Sequence, residues 1–389
     1  MSTIKTFEHG GQIRRWIDAY NLNPDEVVDF SANINPLGIP KLVKEQIQAE
    51  TNALQHYPEP NSRELKQQIG LAHHVSPSQV IVGNGASELI DLIVISTAMR
   101  TPGFRALVVN PTFSEYQRAV NACGGIIDGL TYIHVNRHFE NVLDHVEQQS
   151  PDMIFLCSPN NPTGERLDQA NVQQLMKAAE SINATLLLDY SFMPFADPDW
   201  RETAGFHRHS DCNHRDIGVD ERGNAGEAQS GEKSPKVVFL YSLTKMYGLP
   251  GLRIGYAIAS ARLVDQLECL RNQWSVNHLA QVAAKTCLFQ TEFEQRTRAW
   301  VQREKQKLTI GFKQLGLVPY ESSANFVLVN TENRELSVKA LWEALAKKGL
   351  FVRNCANFDG LNDNYFRVAV RLPRENDRLL NALEKLVPR

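Results

Sequence analysis

Long apolar runs, paired cysteines and an excess of charge of one sign are all missing from this 389-residue chain. Each absence closes off a class of function. No stretch approaches the ~20 apolar residues needed to span a bilayer, so no membrane role is expected. The N-terminus, MSTIKTFEHGGQIRRW, lacks the apolar stretch of a secretory signal. With 41 Lys and Arg against 44 Asp and Glu, the net charge is −3. That balance gives no electrostatic reason to expect nucleic acid or an anionic membrane as partner. The six cysteines (Cys123, Cys157, Cys212, Cys269, Cys287 and Cys355) are scattered without a CxxC pair, which argues against a disulfide framework and against a zinc site; no metal is expected. Cys157 follows the apolar run IFL and reads as a buried, inert thiol. Cys355 lies in an Asn- and Gly-bearing stretch near an arginine and reads as accessible, although nothing pairs it with a base. The expectation is a soluble, cytoplasmic protein that works on small molecules.

What is present is an ordinary globular composition, 42% hydrophobic and 22% charged, in a chain long enough for two domains. Five short apolar runs stand out: RALVVN (105–110), DMIFLCS (152–158), TLLLDY (185–190), VVFLYS (237–242) and RIGYAIA (253–259). Polar stretches of helical length separate them, such as 165–182 and 261–272. Continuous apolar strands alternating with helices predict an α/β fold, a mostly parallel central sheet flanked by helices. From about 291 the pattern changes to a long charged helix (291–314), then FVLVN, a helix at 336–349 and YFRVAVR, the signature of a smaller α+β domain. Residues 203–235 contain almost no large apolar side chain and read as a polar insertion. Their His207, His209, Cys212 and His214 have spacings that fit no standard metal site.

In a parallel sheet, ligands sit beyond the carboxyl ends of the strands, so the residues just after each run carry most weight. Those segments read NPTFSEY, SPNNPTG, DYSFMPF and SLTKMYG. Lys245 in SLTK could form a Schiff base with an aldehyde if its surroundings lower its pKa. A serine acylase would also use SxxK, but its SDN and KTG partners are absent. Ser242 and Arg253 on either side suit a phosphate dianion. VGNGASELI (82–90) is a glycine-bearing turn opening a helix, where free backbone N–H groups favour phosphate. It lacks the full GxGxxG of a dinucleotide site. Asp189 can hold a pyridine nitrogen protonated, and the NNPTG turn offers an amide to a phenolic oxygen. Together these are the parts of a pyridoxal phosphate site.

GNGASE, PTF, SPNNPTG, DYSF, SLTK and GLRIGY also occur in the order found in the class II, fold type I aminotransferase-like enzymes, which this chain resembles over nearly its whole length apart from 203–235. The resemblance implies a large cofactor-binding domain (41–272), a small C-terminal domain (273–389) and an N-terminal arm (1–40) that joins the small domain. It implies that Lys245 binds the cofactor aldehyde, Asp189 pairs with the ring nitrogen, Asn161 bonds the ring hydroxyl and Phe113 stacks on the ring. Gly85, Ala86, Ser87, Ser242 and Arg253 would hold the phosphate. In homodimers of this kind the tyrosine of a YP motif reaches the neighbouring cofactor, and HYPEP (56–60) supplies Tyr57.

Within the family, HGG (9–11), DFSANINPLG (29–38), WSVN (274–277) and RNCANFDGL (353–361) resemble the branch that decarboxylates threonine phosphate in the cobalamin pathway. The histidinol-phosphate aminotransferases are the near relatives, but they typically carry a tyrosine where this chain has Phe192. The resemblance implies that His9, Gly10, Asn33, Asn161, Arg353 and Arg367 contact a phosphorylated amino acid. O-Phospho-L-serine, one methyl smaller, stays open as a substrate, because a pocket discriminates one such group by only ~1–3 kcal/mol. A DNA-linked regulatory role would need an extra basic domain ahead of the motif that begins at residue 29, and a binding-only role is not expected.

Overall fold

The computed structural model describes residues 10–202, 236–331 and 337–387. His9, the stretch 203–235 and its His207, His209, Cys212 and His214 lie outside the described residues. In chain order the strands are β1 (Val28–Asp29), β2 (Val80–Gly83), β3 (Arg105–Asn110), β4 (Ile126–Thr131), β5 (Met153–Cys157), β6 (Thr185–Asp189), β7 (Val237–Ser242) and β8 (Gly255–Ile258). After a long helix come β9 (Val318–Pro319), β10 (Phe326–Asn330), β11 (Leu350–Phe351), β12 (Arg353–Asn354) and β13 (Tyr365–Ala369).

Strands β2 to β8 form one seven-stranded sheet in the order β2-β8-β7-β6-β5-β3-β4. From β7 through β4 the neighbours are parallel. Helices cover both faces of such a sheet, which is why every residue of β5, β6 and β7 is buried and no alternation of apolar and polar residues is seen. The expected mostly parallel sheet is observed, and the structure adds detail to it. RIGYAIA forms β8, but it runs antiparallel to both β7 and β2. β2 and β4 were not anticipated as strands, because one is four residues long and runs directly into the glycine turn, while the other is a half-exposed edge carrying Asp128 and Gly129. The stretch 165–182 becomes helical only at Gln169–Ser181, and the helix expected at 336–349 is Val338–Ala346.

The second sheet has the antiparallel order β12-β13-β10-β9. The N-terminal segment lies beside it: β1 and β11 pair in parallel as a separate two-stranded sheet, and the Ala369 N–H donates to the Phe30 carbonyl at 2.9 Å. That pairing feeds Ser31, Ala32 and Asn33 toward the ends of the large-sheet strands. The long helix Thr291–Gln314 buries Phe293, Val301, Leu308 and Phe312 along one face, each side chain contributing about 1.5–3 kcal/mol of burial. Cys355 is buried rather than accessible, packed with Leu328 and Phe358 and donating to the Arg353 carbonyl. Its position directly after β12 tucks it beneath the strand pair. Among the described residues, no helix is long and apolar enough to cross a membrane.

Candidate active site

Parallel neighbours end at the same edge, so β3, β5, β6 and β7 deliver Asn110, Cys157, Asp189 and Ser242 to one rim. A cavity of about 410 Å³ opens there. Gly10, Asn33, Ala86, Ser87, Phe113, Asn161, Asp189, Ser242, Lys245, Arg253, Arg353 and Arg367 all line it. Gly85 stands at its edge as the residue that opens the helix Ala86–Arg100. Tyr57 is elsewhere, 80% exposed and turned against Trp274.

The helix Ala86–Arg100 has no side-chain cap at its N-terminus, which leaves backbone N–H groups and the positive end of the helix dipole facing the cavity. Gly85 has φ +82°, and a Cβ there would stand 2.5 Å from Nη2 of Arg253. A Cβ on Gly255 would lie 2.8 Å from the Ala86 nitrogen. Gly85 is required by its left-handed backbone and Gly255 by the close approach of the helix terminus, and with the Arg253 guanidinium alongside the arrangement is suited to a phosphate. Ser242 sits alongside, its hydroxyl bonded to that of Thr244 at 2.8 Å.

Asp189 is buried and held from two sides: the Tyr116 hydroxyl donates to Oδ2 at 2.7 Å and the Ser191 N–H to Oδ1 at 2.8 Å. Burial pushes its carboxyl above the usual range, while Ser191, Tyr116 and the charge of Lys245 pull it back. Tyr116 also stands edge-on to Phe113, with ring centroids 5.7 Å apart. One phenol thus braces both the carboxylate and the ring expected to stack on the cofactor. Spacing alone does not reveal this role, although Tyr116 lies three residues after Phe113 in PTFSEY, across the turn that leads into the helix Glu115–Ala122. Tyr116→Phe leaves a buried acceptor short of a donor, and unfolding free energy should fall by about 1–3 kcal/mol. A denaturant titration that matched the unaltered protein would refute this bracing role.

Lys245 follows β7 in the short helix Leu243–Met246. Burial, aided by the charges of Arg367 and Arg253 and opposed by Asp189, lowers its pKa to about 8. Its backbone carbonyl accepts from the Asn35 N–H at 3.0 Å, and the Asn35 amide donates to the Met246 carbonyl and the Thr297 hydroxyl. Asn35 therefore ties the N-terminal segment, the lysine turn and the long helix together, a link that spacing alone does not reveal.

Arg353 and Arg367 are expected from sequence on separate segments. In the fold they are direct cross-strand partners in the β12–β13 pairing, and each is only 5% exposed. Like charges placed opposite each other destabilise a sheet. Arg367 donates to the Asn161 side-chain oxygen and to the Ser31 carbonyl, and its Nε has no partner. Burial lowers its pKa to about 10, which leaves it cationic at neutral pH. Arg353 donates to the Asn354 carbonyl and to Asn357, and lies over the Phe358 ring at 5.0 Å. The buried Oδ1 of Asn33 is also without a partner. Phe192, packed edge-on against Phe326, completes an apolar wall.

A glycine-lined phosphate cradle, a fixed carboxylate and an amine of lowered pKa fit pyridoxal phosphate. Lys245, Asp189, Asn161, Phe113 and the group Gly85, Ala86, Ser87, Ser242 and Arg253 are the residues that would hold it.

Comparison with known proteins gives the same picture. The chain is 31% identical over 388 residues to the threonine-phosphate decarboxylase of Salmonella typhimurium, covering 97% of this chain and 96% of that one. It is 28% identical over 392 residues to the histidinol-phosphate aminotransferase of Methanocaldococcus jannaschii, covering 99% and 95% respectively. Among solved structures, histidinol-phosphate aminotransferase from Clostridium acetobutylicum superposes with a TM-score of 0.77 at 26% identity, over 92% of this chain and 98% of that one. The profile described as aminotransferase class I and II matches residues 25–383, and this chain belongs to that pyridoxal-phosphate-dependent family.

Proposed function

We propose that the protein decarboxylates O-phospho-L-threonine to (R)-1-amino-2-propanol O-phosphate, the aminopropanol unit of the corrinoid nucleotide loop, and that it works as a homodimer in which Tyr57 crosses to the neighbouring cofactor phosphate. The observation that carries the reading is the buried, cross-strand pair Arg353 and Arg367 on the cavity wall. Two desolvated guanidinium groups held side by side call for a ligand with concentrated negative charge, and a phosphate monoester meets that need. The 31% identity to a threonine-phosphate decarboxylase supports the choice of substrate. So does Phe192, which brings no hydroxyl to the ring where the aminotransferases typically carry one.

When bound, the cofactor's pyridinium ring takes up the electron pair released at the substrate Cα. The chain's residues decide which bond is aligned to release it. The arginine pair and His9 grip the phosphate and fix the substrate's orientation, with Gly10 and Asn33 also in contact with the substrate. So oriented, the substrate would present its carboxylate for loss as CO₂, the electron pair of the Cα–C bond passing to the bound cofactor. Lys245 delivers the proton that replaces it at Cα. Asp189 would hold the ring nitrogen protonated.

Incubated with pyridoxal phosphate and O-phospho-L-threonine, the protein is expected to release CO₂ and 1-amino-2-propanol phosphate in equal amounts. Glutamate formed from histidinol phosphate and 2-oxoglutarate would sink this reading in favour of the aminotransferase, which the 28% identity to a histidinol-phosphate aminotransferase keeps in view. A larger kcat/KM for O-phospho-L-serine would move the substrate to the smaller homologue and leave the chemistry unchanged.

A further inference from the structure

Tyr57 is a large aromatic residue on an exposed loop, yet its surroundings are built to hold it. Its ring lies 4.8 Å from that of Trp274, with an interplanar angle of 32°. Trp274 is itself 44% exposed and has φ +61°, in the left-handed region that a bulky residue rarely adopts. Two side chains behind the pair explain the arrangement. Arg271, only 4% exposed as a side chain, forms a two-pronged ion pair with Glu268, at 2.9 and 2.7 Å. The same guanidinium donates to the Pro60 carbonyl at 2.9 Å and to the Ser275 hydroxyl at 3.4 Å. Gln281, also buried, donates to the Glu59 carbonyl at 2.9 Å and to the Val276 carbonyl at 3.1 Å. Each side chain therefore bridges the loop just after Tyr57 to the loop just around Trp274.

We propose that Arg271, seconded by Gln281, is a positioning residue that holds Tyr57 and Trp274 as a preformed aromatic arm serving the cofactor phosphate of a second copy of this chain. The proposal rests on the homodimer reading given above. An unheld tyrosine would lose rotamer and loop freedom on engaging the neighbouring phosphate, and the clamp meets that cost before binding. The clamp also touches its own cradle. Ser275 donates to Glu88 at 3.3 Å, and the same Glu88 oxygen accepts from the Asn84 N–H beside Gly85 at 2.5 Å. The two routes, across the dimer or within one chain, predict different behaviour in mixed dimers.

The test pairs Arg271→Met with Lys245→Ala in isolated heterodimers and titrates pyridoxal phosphate by its visible absorbance. Only one site in that heterodimer has Lys245, and its Tyr57 comes from the protomer with Arg271 intact. The Arg271→Met homodimer should bind the cofactor about three- to tenfold more weakly than the unaltered protein. The heterodimer's lysine-bearing site should recover full affinity, and Arg271→Lys should restore part of it in the homodimer. A heterodimer as weak as the Arg271→Met homodimer, or a homodimer with unaltered affinity, overturns the proposal. A Tyr57→Phe and Lys245→Ala heterodimer separates the two readings: if it too fails to recover, the crossing of Tyr57 is wrong. Should Arg271→Met not fold, as judged by circular dichroism, Gln281→Leu takes its place with the same expected outcomes.

Discussion

Lys245→Ala should abolish the visible absorbance of the bound cofactor and cut turnover by on the order of 10⁴-fold or more. The size of the effect follows from the two jobs proposed for one Nζ: bonding the cofactor's aldehyde carbon and delivering the proton to Cα. No neighbour can substitute. A guanidinium does not attack a carbonyl, which removes Arg253 and Arg367, and Asp189 is held by Tyr116 and Ser191. The lowered pKa of about 8 gives a second reading of the same group. An amine attacks only when unprotonated, so loading of the apo-protein with cofactor should quicken as pH rises through about 8 and level off above it. An ordinary lysine would keep gaining until about pH 10.4. Stopped-flow absorbance across that range decides, and a midpoint near the ordinary value would show that burial and the two arginines do not tune Lys245.

The residues of this site that could be read in advance share one physical property: they follow apolar strands. Asp189 and Ser242 end β6 and β7, Asn161 and Lys245 follow β5 and β7 closely, and parallel strands must end together. Their meeting in space was implied by the pattern itself. Tyr116 was hidden because its partner Asp189 lies 73 residues away, and only the alignment of β3 beside β5 brings the two within reach. Arg353 and Arg367 were identified as site residues, but their pairing depends on the register of β12 against β13, which two short segments do not specify. The direction of β8 was hidden for a related reason. Burial on both faces makes an apolar strand look alike whichever way it runs. Cys355 was misread because its Asn- and Gly-bearing neighbours suggest a surface loop, whereas the strand pair above it closes the site from solvent.

That register is why Arg367 carries the second large expectation. Arg367→Met should lower kcat/KM for O-phospho-L-threonine by roughly 30- to 5,000-fold, the range for truncating one member of a buried charged hydrogen-bonded set. The substitution removes a guanidinium from the cavity wall and also leaves the Asn161 oxygen and the Ser31 carbonyl without their donor. Arg367→Lys should recover only part of the loss, since an ammonium keeps the charge but not the fork that spans Asn161, Ser31 and a ligand oxygen at once. L-Threonine, lacking the phosphate, distinguishes what the arginine holds. With a phosphate grip, the variant's loss falls almost wholly on the phosphorylated substrate, and the small activity on L-threonine hardly changes. With a carboxylate grip, both substrates lose equally. The second outcome would have a mechanistic consequence, because an Arg367 that held the carboxylate would keep it from the orientation needed for loss as CO₂ and would favour loss of the Cα proton instead. Equal losses would therefore argue for hydrogen removal and against decarboxylation, so one ratio of rate constants tests both the arginine's partner and the bond that breaks.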